Sequence, residues 1–178
     1  MAIRSLIASA ILLATMVMSQ SAAVSEERIV KQTRHEILTR PFFDVFDNID
    51  FRVDGGKVTL MGQVTRPILK SSAEAVVKGI EGVENVNNQI EVLPLSPNDD
   101  RLRIAAYRAI HGYAALQRYA WPMIKPIRII IKNGNLTLEG IVNNETDKNL
   151  VDMRANGVQG VFSVTNNLLV EKSSAGGE

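Results

Sequence analysis

The chain has 178 residues, 46% of them hydrophobic, with a single tryptophan and no cysteine. The absence of cysteine excludes disulfides, thiolate chemistry, cysteine-zinc sites and lipid attachment through an N-terminal cysteine. Twenty Lys plus Arg stand against nineteen Asp plus Glu, a balance that points to no nucleic-acid partner.

Residues 1–23 read as a cleaved export signal. Arg4 provides a positive start, Leu6 to Met18 an apolar run too short to span a bilayer, and Ser21-Ala22-Ala23 the small residues of a cleavage site. The expected outcome is therefore export and release. Next, Ser25 is placed to cap a helix carrying Ile29, Val30, Thr33, Ile37 and Leu38 at helical spacing, and Pro41 ends it. Ile49, Phe51 and Val53 alternate with polar residues, and Gly55-Gly56 turns the chain into Val58, Leu60 and Gly62, a β-hairpin. Pro67 opens a second helix whose buried stripe is expected at Leu69, Ala73, Val76 and Ile80, closed by Gly79 and Gly82. A last strand carries Val86, Ile90 and Val92.

After the linker LPLSPND the order returns. A helix from about Arg101, capped by Asp99 or Asp100, precedes strands at Ile127 to Lys132 and Leu136 to Val142. Asn144 and Asp147 resemble a capping box for a helix reaching about Asn156, and the final strand is Val161 to Val170. The repeat is explicit: GKVTLMGQV at Gly56–Val64 returns as GNLTLEGIV at Gly134–Val142, and GVENVNNQIEV at Gly82–Val92 as GVFSVTNNLLV at Gly160–Val170, both at an offset of 78. The first helices align best at an offset of 76, which pairs His35 with His111. The expected fold class is α+β: two αββαβ units, each a three-stranded mixed sheet with two helices on one face. Their bounds are 25–93 and 99–171, with a proline-containing linker at 94–98 and a flexible tail at 172–178.

These paired motifs resemble those of tandem BON-domain proteins, the family named for bacterial osmotic-shock and nodulation proteins. The resemblance implies a bacterial envelope protein, usually periplasmic, with phospholipid-surface binding and no catalysis.

Gly56, Gly62, Gly134 and Gly140 are read as structural: the spacing is not that of a phosphate loop. Asn88 and Asn166, which match across the repeats, are read as turn positions or side-chain-to-backbone hydrogen-bonding positions rather than ligands. The two histidines are read as exposed, the pair Asp44 and Asp47 as part of a solvated face or turn, and no constellation indicates an enzyme, a metal or a cofactor.

The asymmetric feature is charge. No acid occurs from Arg101 to Leu138, and residues 24–98 carry 9 basic and 11 acidic groups against 10 and 8 in residues 99–178. Projection of the third helix puts Leu102, Ala105, Ala106, Ala109, Tyr113 and Leu116 on one face. Arg103, Ile104, Tyr107, Arg108, His111, Arg118 and Tyr119 fall on the other. Arg103, Tyr107, Arg108, Arg118, Tyr119 and Trp121 are thus the candidate contacts to an anionic phospholipid surface. The function expected is that of a non-enzymatic periplasmic protein of envelope or osmotic stress tolerance. The alternative is a soluble envelope scaffold or stress protein that binds another protein.

Overall fold

The computed structural model describes residues 26–171, so the export signal, the Ser25 cap and the terminal tail lie outside the described residues. Unit one runs α1 (26–38), β1 (Asn48–Asp54), β2 (Lys57–Val64), α2 (Pro67–Lys78), β3 (Asn85–Asn88) and β4 (Glu91–Val92). Unit two repeats it as α3 (Pro97–His111), β5 (Ile127–Lys132), β6 (Asn135–Val142), α4 (Glu145–Asn156), β7 (Ser163–Asn166) and β8 (Leu169–Val170). A 3-10 turn, Ala114–Tyr119, follows α3.

Each sheet is mixed. β2 is central, antiparallel to β1 and parallel to β3 and β4, which are two halves of one interrupted strand; β6 stands likewise among β5, β7 and β8. The interruption has a local cause. Asn88 Nδ2 donates to the Lys70 carbonyl at 2.9 Å while its Oδ1 accepts the Ile90 amide at 3.1 Å. Asn166 repeats both bonds with Lys148 and Leu168, each at 3.2 Å. The side chain thus takes over ladder bonds at the break and ties the strand to the crossover helix.

Both helices of a unit share one face of its sheet. Val58, Leu60 and Val64 of β2 form one core with Ile29 and Ile37 of α1 and Leu69, Ala73 and Val77 of α2. Leu136, Leu138 and Val142 of β6 do the same with Leu102, Ala106 and Ile110 of α3 and Val151 and Ala155 of α4. The buried stripe of α2 therefore ends on Val77 rather than Val76, and Ile80 is buried just beyond the helix.

Two features correct the expected start of α3. Its cap is Ser96, which accepts the Asp99 amide, and Pro97 is its first residue. Asp99 is instead buried, its carboxylate accepting the amides of Asn133 and Gly134 at 2.8 and 2.9 Å, so the start of α3 clamps the second hairpin turn.

The true offset of the first helices is 73. A side chain at Gly82 would meet Ile29, and one at Gly160 would meet Leu102. The buried triplet Ile29, Thr33, Ile37 then superposes on Leu102, Ala106, Ile110. His35 and His111 are consequently not equivalent, and unit two holds five more residues than unit one between helix and hairpin.

At Gly62 and Gly140 both φ values are positive, and an added Cβ would lie 2.3 Å from the Asn48 carbonyl oxygen or 1.9 Å from that of Pro126. Only glycine permits that approach of the strand preceding each hairpin. Gly56 and Gly134 also take positive φ at their turns.

The units meet along β5. The Ile129 amide donates to the Val45 carbonyl at 2.8 Å, covering an edge strand that would otherwise expose its backbone, and Val45 enters the core of unit two. Arg128 donates to the Asp44 carbonyl at 2.8 Å, and Lys132 pairs with Glu91 at 2.6 Å.

Candidate functional site

The six residues singled out for lipid contact separate into two groups. Arg103 is 5% exposed, its guanidinium bonded to Asp100 and, at 2.8 Å, to the Ile131 carbonyl. Tyr119 is buried too, its hydroxyl accepting the Asn143 amide at 2.9 Å and donating to Asp147. Neither reaches a surface, which corrects their expected placement. For Tyr119 the reason is that α3 ends at His111: the Gly112 amide closes it on Arg108, and the following 3-10 turn brings Leu116 and Tyr119 inward. A helical projection continued to Tyr119 therefore assigns that residue the wrong side. Ile110, on neither projected face, is fully buried.

His111, expected at the surface, is buried with both ring nitrogens unpartnered and its ring 4.8 Å from that of Tyr107. Desolvation, helped by the charge of Lys125, lowers its pKa to about 4. Asp47, read as part of a solvated face, is buried as well; its carboxylate accepts the amides of Thr65 and Asp44, and burial raises its pKa.

Arg108 and Trp121 are exposed, Arg118 half-exposed and Tyr107 partly buried against the edge of Phe46. Arg118 grips Asp147 with both contacts from one nitrogen, at 2.5 and 2.6 Å, which with the hydroxyl of Tyr119 raises its pKa.

The five extra residues of unit two emerge as an apolar loop. Trp121 is 81% and Met123 98% exposed, followed by Ile124 at 42%. Pro122 and Pro126 restrict its backbone, and Lys125 Nζ folds back onto the Pro122 carbonyl at 2.7 Å. Composition alone singled out Trp121. Met123 and Ile124 are not legible in the sequence, because a helix offset of 76 against 78 for the hairpins shows only two of the extra residues.

Beside this loop lies a cavity of about 610 Å³. It is lined by Leu38 and Phe43 of unit one, Ile104 and Tyr107 of α3 and Met123 and Ile124 of the loop, with Arg40, Lys125 and Arg128 among its polar groups.

Two docked copies of one αββαβ unit, with an apolar insertion in the second, define a tandem α+β repeat protein. The chain belongs to the BON domain family, whose model matches residues 25–94 and 113–172. The second match begins beyond α3, the element in which the units diverge. No curated protein matches the chain. Among solved structures it is similar to CdsD, a structural protein of the type III secretion system of Chlamydia trachomatis, at 15% identity over 80% of this chain and 92% of that one, TM-score 0.30. A structure of the C-terminal domain of CdsD gives 16% identity, 80% and 96% coverage and a TM-score of 0.29. At that similarity neither carries a functional argument.

Among the described residues no helix is long and apolar enough to cross a membrane.

Proposed function

We propose that this BON-domain protein is a non-enzymatic periplasmic component of envelope or osmotic stress tolerance that docks on anionic phospholipid surfaces through its second unit. The observation that carries this reading is the exposed loop Trp121–Ile124, held out by two prolines and flanked by Arg118 and Lys125. Trp at headgroup depth, aliphatic side chains below it and cations above form the arrangement a peripheral protein needs at an anionic interface. Burying an exposed Trp or Met side chain stabilises by roughly 2 kcal/mol. Each Lys or Arg near an anionic surface contributes about 1 kcal/mol. Ile104, exposed on α3, lines the same cavity as Met123 and Ile124, and Arg108 is exposed one turn further on.

Flotation with vesicles containing phosphatidylglycerol tests the reading. Binding should rise with the anionic fraction and fall with salt, and failure to float at low salt would refute it.

A second reading, a scaffold that binds another envelope protein, draws on Ile141 and Leu169. They are register partners on β6 and β8 and both are exposed. Capture of a protein partner that depends on this pair and not on the loop would favour it.

A further inference from the structure

Arg128 is the least expected side chain of β5. It is 7% exposed in a strand of isoleucines, its guanidinium stacked 4.6 Å over the Phe43 ring and bonded to the Asp44 carbonyl. Among the described residues it belongs to no ion pair. Burial lowers its pKa, opposed by the charges of Asp47 and Asp44, which favour the cation. Their carboxylates, however, are directed to backbone amides: Asp44 to Phe46 at 2.8 Å, Asp47 to Thr65 at 2.7 Å and to Asp44 at 3.1 Å. A buried cation without a paired anion is costly unless something completes it.

What Arg128 faces is the cavity between the units. Its volume of about 610 Å³ falls in the range of small-molecule sites, roughly 300–1,000 Å³. The walls are apolar, with Leu38, Phe43, Ile104 and Ile124 among them. Of the other charged groups that line it, Arg40 is paired with Glu36 at 2.9 Å, Asp44 is engaged as described, and Lys125 has only the Pro122 carbonyl. Two cations therefore lack a carboxylate partner in a cavity whose lining is otherwise mostly apolar.

We propose that this cavity is a binding site for one single-chain anionic amphiphile, whose acid group pairs with Arg128 and Lys125 and whose hydrocarbon chain lies between the two units. The guanidinium offers the planar fork that carboxylate and phosphate oxygens accept bidentately. Met123 and Ile124 of the exposed loop line the cavity, so the route of entry rests on the surface-docking reading: a chain leaving the lipid at the loop would pass directly between residues of the cavity wall. Binding itself does not require the membrane.

Titration of the full protein with palmitate, with palmitoyl-lysophosphatidylglycerol and with neutral dodecyl maltoside tests it. The expected result is saturable binding of one acidic amphiphile per chain and none of the maltoside, the tighter of the two acids identifying the head group as carboxylate or phosphate. Arg128→Met should weaken binding about tenfold or more, the scale of one charged hydrogen-bonding group. Thr39→Trp, at an exposed cavity-lining position, should block the chain while leaving circular dichroism unchanged, so the test stands even if Arg128→Met does not fold. No saturable binding, equal binding of the maltoside, or unchanged affinity in Thr39→Trp would overturn the proposal. Flotation of the same variants keeps the two ideas apart. Palmitate binding without flotation refutes only surface docking, and flotation without palmitate binding refutes only the cavity site.

Discussion

The hydroxyl of Tyr119 donates to the carboxylate of Asp147 while accepting the Asn143 amide, so one buried phenol joins the 3-10 turn, the end of β6 and the start of α4. Unit one meets the same demand differently: the amide of Thr65, equivalent to Asn143, is accepted by the buried carboxylate of Asp47 at 2.7 Å. A backbone donor just past the central strand needs an acceptor in both copies, and only its chemistry has diverged. Tyr119→Phe leaves that amide and Asp147 short of a partner. It should lower stability by about 1–2 kcal/mol, read as a shift in a denaturant midpoint with the slope unchanged.

His111 should make the protein sensitive to acid. Its folded pKa is about 4 against an ordinary 6.5, because burial disfavours the charged ring. The unfolded chain binds a proton near 6.5 and the folded one does not, so this contribution to stability is complete above 6.5 and is lost as pH falls to about 4. The loss is on the order of 3 kcal/mol. Stability curves of His111→Leu should be flatter than those of the parent over that interval; parallel curves would show that the ring is accessible to protons in the folded state.

Gly140→Ala should be among the most damaging substitutions to a small residue here, since its Cβ would fall 1.9 Å from the Pro126 oxygen at a positive φ. A cost of several kcal/mol is expected from forced backbone displacement plus strain. Gly134→Val at the hairpin turn places its Cβ at an ordinary 3.7 Å from the Phe162 side chain, so the main cost is the conformational penalty, about 1 kcal/mol or more. Thermal unfolding of the two variants should preserve that order.

Arg103 and Arg108 should behave as opposites. Arg103→Glu would bury a carboxylate beside Asp100 and the Ile131 carbonyl, and it should reduce stability by about 3 kcal/mol or more. Arg108→Glu, on an exposed position, should leave circular dichroism and melting unchanged and weaken vesicle binding only. Lys31→Glu with Arg34→Glu on the exposed side of α1 is the matched control, expected to alter neither.

The repeat, the α+β class and the strand order were legible because glycine and alternation mark hairpins strongly and the phrases recur at one offset. Asn88 and Asn166 were legible for the same reason. The helix alignment was not, since an offset of 76 pairs the two histidines while only 73 superposes the buried Ile29, Thr33 and Ile37 on Leu102, Ala106 and Ile110. That three-residue error concealed the insertion that exposes Met123 and Ile124. The burial of Arg103 and Tyr119 depends on partners far along the chain, Ile131 and Asp147, which periodicity within one helix does not report. The junction of the units, where Val45 covers β5, is likewise a long-range contact without a local pattern.

The membrane reading is tested most directly by the emission of Trp121, the single tryptophan of the chain. Adding vesicles rich in phosphatidylglycerol should shift its spectrum to the blue and protect it from an aqueous quencher. Salt should reverse both changes, and Met123→Asp should abolish them without altering the fold. An emission spectrum that stays that of a solvent-exposed indole at low salt, with vesicles in excess, would contradict the claim that this loop meets the lipid.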